Sequence, residues 1–98
     1  MKPVVVVQLF ATLREAAGTS RIEVEADTVR EVLASLIQLR GEPLRARLFG
    51  PAGDLLDMLA VLVNGRNIRF LGGLDTVLKA GDTVSIIPPV AGGRPFVG

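Results

Sequence analysis

Ala80-Gly81-Asp82-Thr83-Val84-Ser85-Ile86-Ile87-Pro88-Pro89-Val90-Ala91-Gly92-Gly93 carries three signals in succession. Gly81-Asp82 marks a tight turn. Residues 83–87 are rich in β-branched side chains and read as a strand. Pro88 and Pro89 end that strand, because each lacks a ladder N–H and fixes φ. What remains is small and side-chain-poor, a narrow tail able to enter another protein's active site. Arg94-Pro95-Phe96-Val97-Gly98 follows the glycine pair.

Upstream, residues 4–10 form an almost continuous apolar run and read as a strand that is covered on both faces or keeps one face for a partner. Val5, Val7 and Leu9 fall on one side, and Val4, Val6 and Phe10 on the other. Residues 11–18 end in glycine and read as a connecting loop or turn. Arg21-Ile22-Glu23-Val24-Glu25 alternates, which predicts a half-exposed edge strand with Ile22 and Val24 inward. Together the two strands predict a first hairpin.

Thr28-Val29-Arg30-Glu31 matches a capping box, with Glu31 reaching back to the Thr28 N–H. Val29, Val32, Leu33, Leu36 and Ile37 recur at helical spacing, and Gly41 reads as the stop. One amphipathic helix is therefore expected over 29–40, with Arg30, Glu31 and Gln38 in solvent. Residues 42–57 predict a short helical turn and a loop. Residues 59–63 predict another apolar strand, closed by the turn signal Asn64-Gly65. Residues 67–70 pair back briefly, and Gly72-Gly73 breaks the chain.

Strands around a single helix predict an α+β fold, a mixed four- to five-stranded sheet with one main helix packed on one face. One helix cannot cover both sheet faces. The second apolar face either meets a partner or is covered by 42–57 or by the end of the chain.

At 98 residues and 49% hydrophobic, the sequence supports one small domain with a true core. It holds neither cysteine nor histidine. That removes disulfides, thiolate chemistry and the usual neutral-pH base, so independent catalysis is not expected. A net charge of +1 with interspersed signs offers no nucleic-acid footprint. Arg40, Arg45 and Arg47 approach a basic patch, but Glu42 lies among them, and a solvated loop is expected. Residues 4–7 are too short to span a membrane, and no cleavage site follows them. No membrane association is expected, and the absence of cysteine fits the cytoplasm.

Phe10-Ala11-Thr12-Leu13-Arg14-Glu15-Ala16-Ala17-Gly18, Val61-Leu62-Val63-Asn64-Gly65, and 74–93 resemble the MoaD branch of the MoaD/ThiS family, almost position by position in the last stretch. The resemblance spans 4–93. It implies a ubiquitin-like β-grasp fold and the role of small subunit of molybdopterin synthase, carrying sulfur for molybdenum or tungsten cofactor synthesis. A partner adenylating enzyme resembling MoeB or ubiquitin E1 would use ATP and magnesium to activate the terminal glycine, which then becomes a thiocarboxylate. No cofactor would be bound by this chain. Inside a MoaE-like large subunit the sulfur would pass to a cyclic pterin phosphate. The carrier residue implied is Gly93, with Gly92 letting the last peptide turn. Glycine has no Cβ to hinder attack of its carboxylate on a phosphate. Pro88 and Pro89 would hold the tail extended, lowering the entropy lost on insertion. Val90 and Ala91 would add apolar contacts. Ile68 and Ile87 are expected on the partner-facing surface.

Members competent for activation generally end at the second glycine, whereas here Arg94 occupies that carboxylate in a peptide bond. The reading is a domain over 1–93 followed by an extension, 94–98, removed from a precursor by a JAMM-type zinc protease. Alternatives are an interaction module that keeps its tail, or foreign residues appended by cloning. Rival functions are a ubiquitin-like modifier joined to target lysines and a carrier feeding thiazole synthesis.

Overall fold

A computed structural model describes residues 1–89 of the chain. In chain order the elements are β1 (Val4–Leu9), α1 (Thr12–Ala17), β2 (Arg21–Glu25), α2 (Val29–Arg40), α3 (Glu42–Leu48), β3 (Ala60–Val63), β4 (Arg66–Asn67) and β5 (Thr83–Ile87). Single 3₁₀ turns at Ile68–Phe70 and Gly73–Asp75 lie between β4 and β5. The five strands form one sheet in the order β2-β1-β5-β3-β4. β1 and β5 run parallel at its centre, and every other pairing is antiparallel. This is the ubiquitin-like β-grasp, a five-stranded mixed sheet with α2 laid across one face.

Register assigns the two faces. Val5, Val7, Leu9, Ile22, Val24, Val61, Val63, Val84 and Ile86 are all buried beneath the helices. Val29, Val32, Leu33 and Leu36 of α2 meet them, as the helical spacing predicts. Every buried side chain among the described residues is apolar. The Thr28 hydroxyl caps α2 by accepting from the Glu31 N–H at 3.3 Å. The other half of the expected capping box is displaced by one residue. The Glu31 carboxylate accepts from the Asp27 N–H at 2.8 Å and from Lys2 Nζ at 3.0 Å, not from Thr28.

Three other expectations change. Residues 12–17 form a helix where a loop was expected, so β1 and β2 are joined through a helical turn closed by left-handed Gly18. Six residues span under two turns, too few for a hydrophobic period to show in sequence. Residues 42–48 form a full short helix whose Leu44 and Leu48 are completely buried. It packs against α1 and α2 and so joins the helical layer, leaving the opposite sheet face uncovered by 42–57. Pairing back after Asn64-Gly65 stops at Asn67, and Ile68–Phe70 turns away as 3₁₀. The Asn64-Gly65 turn itself is as expected, with φ of 51° and 86° at the two central residues, as a type I′ hairpin requires.

Candidate functional site

The site is built around the end of β5. Being central, this strand is held on both sides, with Ile86 opposite Leu9 of β1 and Ile87 opposite Ala60 of β3. Pro88 and Pro89 come next and have no N–H with which to continue either ladder. The chain therefore leaves the sheet from its firmest strand, between the C-terminal end of β1 and the N-terminal end of β3. Val90, Ala91, Gly92 and Gly93 lie outside the described residues.

Beside the exit runs a groove of about 280 Å³ lined by Thr12, Ala46, Arg47, Leu56, Met58, Leu59, Pro88 and Pro89. Met58 is largely exposed there. The three short pieces that the sequence could not place, α1, α3 and the loop before β3, thus meet at the root of the tail.

The open sheet face adjoins the same exit. One row crosses all five strands as Arg21, Gln8, Ser85, Leu62 and Asn67. Around it Val4, Phe10 and Ile87 are exposed, and Val6 and Leu62 are half-buried. Arg21, Glu23 and Glu25 make the β2 rim charged. Past β4 the face continues into a shallow depression of about 520 Å³ lined by Leu62, Gly65, Arg66, Asn67, Phe70 and Leu71. The Phe70 ring is 86% exposed.

Ile87 is exposed on this face. Ile68 is not: it is only 6% exposed and belongs to the core. Asn67 shares the open-face row with Leu62, so the residue after it turns inward. Phe70 and Leu71, which follow in the chain, are the exposed apolar side chains here. The sequence held no signal for this beyond a lone aromatic after a hairpin.

At the opposite end of β5 the chain turns through Lys79–Asp82. The Asp82 carboxylate accepts from Asn64 Nδ2 at 3.0 Å and from the Lys79 N–H at 2.8 Å. These donors hold its pKa below the usual aspartate value, the Asn64 amide contributing most. Asn64 Oδ1 in turn accepts from the Thr83 N–H at 3.0 Å. The β3–β4 hairpin is thereby tied to the start of β5.

The sequence profile of the ThiS family matches residues 7–93, nearly the whole chain and both glycines. The chain belongs to the ThiS family. Its members are ubiquitin-like sulfur carriers, and relatives of this chain include proteins named for carriage and proteins named as modifiers. Small archaeal modifier protein 1 of Methanosarcina acetivorans superposes with a TM-score of 0.85 at 39% identity, covering 95% of this chain and 99% of that one. The sulfur carrier protein CysO of Mycobacterium tuberculosis is 35% identical over 78 residues, 78% of this chain and 83% of its own length. A chain of the BexX/CysO complex of Amycolatopsis orientalis matches with a TM-score of 0.77 at 36% identity, covering 91% and 99%. No helix among the described residues of this ThiS-family chain is long and apolar enough to cross a membrane.

Proposed function

We propose that the chain is a sulfur carrier whose working group is the C-terminal carboxylate of Gly93, and that it serves as the small subunit of a molybdopterin synthase. The observation that carries this reading is the match through Gly93, combined with a tail rooted in the central strand beside exposed Phe10 and Ile87. A glycine carboxylate at the end of such a tail fits a channel that a larger residue would block. The acting partner would be a MoeB- or E1-like enzyme that converts the carboxylate to an acyl-adenylate with ATP and magnesium. A MoaE-like subunit would then receive the thiocarboxylate. Ile87, Pro88, Pro89, Val90 and Ala91 would provide the contact surface, joined by Phe70 and Leu71. Residues 94–98 must leave first, and a JAMM-type protease is the class of enzyme proposed for that cut.

The test is the mass of the protein from native extract, together with ATP–pyrophosphate exchange by the adenylating partner. A chain ending at Gly93 that supports exchange is expected, and Gly93→Ala in the trimmed chain lowers sulfur transfer while leaving the unfolding curve unchanged. Full-length mass throughout, with no exchange, overturns the reading.

A second reading, a protein modifier joined to lysines through the same Gly93, is favoured by the likeness to small archaeal modifier protein 1. Both readings need the same activated glycine and differ in the nucleophile that takes it.

A further inference from the structure

Any protein that carries an activated acyl group at its own end is exposed to its own amines. Lysine Nζ, once deprotonated, attacks such a carbonyl. Arginine does not, because its guanidinium stays protonated. The sequence has only two lysines, Lys2 and Lys79, among its eleven basic residues.

Both lysines lie at one pole. β5 runs parallel to β1, so the turn before β5 sits beside the beginning of β1: the Gly81 N–H donates to the Val4 carbonyl at 3.0 Å, and the Val6 N–H to the Asp82 carbonyl at 2.9 Å. The tail leaves from the other end, about 17 Å away for a five-residue strand. Around that exit the basic residue lining the groove is Arg47, and Arg14 and Arg21 line the neighbouring hollow beside Phe10. Among the described residues, the basic side chains beside the root of the tail are thus arginines, which cannot be acylated.

The two lysines also differ from each other. Lys2 Nζ is fixed on Glu31 at 3.0 Å, and Glu31 is itself fixed by the Asp27 N–H. That contact favours the protonated, non-nucleophilic amine. Lys79 makes no ion pair among the described residues. Its backbone is clamped in a turn, the N–H donating to Asp82 Oδ2 and the carbonyl accepting from the Asp82 N–H at 3.0 Å, and its side chain is exposed.

We propose that Lys79 is the amine to which a second copy of this chain is joined through Gly93, giving head-to-tail polymers. The inference rests on the modifier reading. The neutral Nζ attacks the carbonyl carbon of the Gly93 acyl-adenylate of another copy. The C–N bond forms, the C–O bond to AMP breaks, AMP departs as the anion, and the amine proton passes to water. ATP supplies the adenylate. Donor and acceptor lie at opposite ends of one strand, so a single bond leaves one Gly93 and one Lys79 unused and the product extends by further additions.

The experiment compares full-length wild-type, Lys79→Arg and Lys2→Arg chains expressed in cells that make the chain. They are isolated under denaturing conditions, digested with trypsin and sequenced by mass spectrometry. A branched peptide is expected in which residues 80–93 of one copy are attached to Lys79 within a peptide beginning at Phe70 of another. The species of twice the chain mass is lost in Lys79→Arg and kept in Lys2→Arg, with identical melting curves for both variants. Branches on Lys2 or on the Met1 amine overturn the inference. Branches found only on other proteins overturn it too, while leaving the modifier reading intact. Absence of any branch in the presence of a Gly93 thiocarboxylate removes the modifier reading itself.

Discussion

Ala11 is the residue whose backbone fits its side chain least well. Its φ of 51° and ψ of −124° lie where glycine is at ease and a Cβ is not. The Leu13 N–H donates to the Phe10 carbonyl at 3.1 Å, closing a tight turn that carries the chain from β1 into α1. Such a conformation costs of order 1–3 kcal/mol. Glycine would relieve it, less roughly 0.4–1 kcal/mol for a freer unfolded chain. Ala11→Gly is expected to raise the unfolding free energy by about 1 kcal/mol in urea titration. A loss of stability would show that the Ala11 methyl contributes more than its strain. None of this was legible in sequence, since Phe10-Ala11-Thr12 reads as an ordinary loop and the strain arises only from the direction in which α1 must leave.

Elements were legible where the pattern was long. The alternation in β2, the β-branched run of β5 and the helical spacing of α2 each repeat enough times to exclude other periods. α1 and β4 are too short to repeat, and Glu31 fails as a box partner because its carboxylate is held by the Asp27 N–H and by Lys2, which lies just ahead of β1 and is distant in sequence. Between elements, Asp82 is the main polar tie, linking the Lys79–Asp82 turn to the β3–β4 hairpin. Its folded pKa lies below the 3.8 of a free aspartate. The stabilisation it brings is therefore complete above that value and is lost as pH falls through the folded pKa. Asp82→Asn is expected to lower the melting temperature at neutral pH, with the difference from wild type shrinking as pH drops below 3.8. A difference independent of pH would mean that shape, not charge, holds the turn.

Across the whole molecule, the sequence left open whether the second sheet face meets a partner or is covered; among the described residues it is uncovered, and the sequence did not show what would border it. Two residues of β4 followed by a 3₁₀ turn were enough to send Ile68 inward and Phe70 outward. An 86% exposed ring contributes little to folding, and substitutions at such positions usually shift stability by less than about 0.5 kcal/mol. Phe70→Ala is therefore expected to leave the unfolding curve nearly unchanged while raising the Michaelis constant of the adenylating partner for the trimmed chain. A loss of about 2–5 kcal/mol, typical of emptied core positions, would place the ring in the core instead.

The central position of β5 also has a consequence for the order of events during synthesis. β1 with β2, and β3 with β4, are two ribbons that do not pair with each other; only β5 touches both. It is the last of the five to leave the ribosome. Until then the sheet consists of two separate two-stranded ribbons with no strand to join them. Joining them closes contacts between residues some 77 positions apart, as between Gln8 and Ser85, a long loop of the kind that slows folding. The segment that completes the fold is the one that leads into the tail. A nascent or damaged chain lacking β5 therefore has neither a finished body nor an anchored end, and an adenylating enzyme that grips both would pass it over.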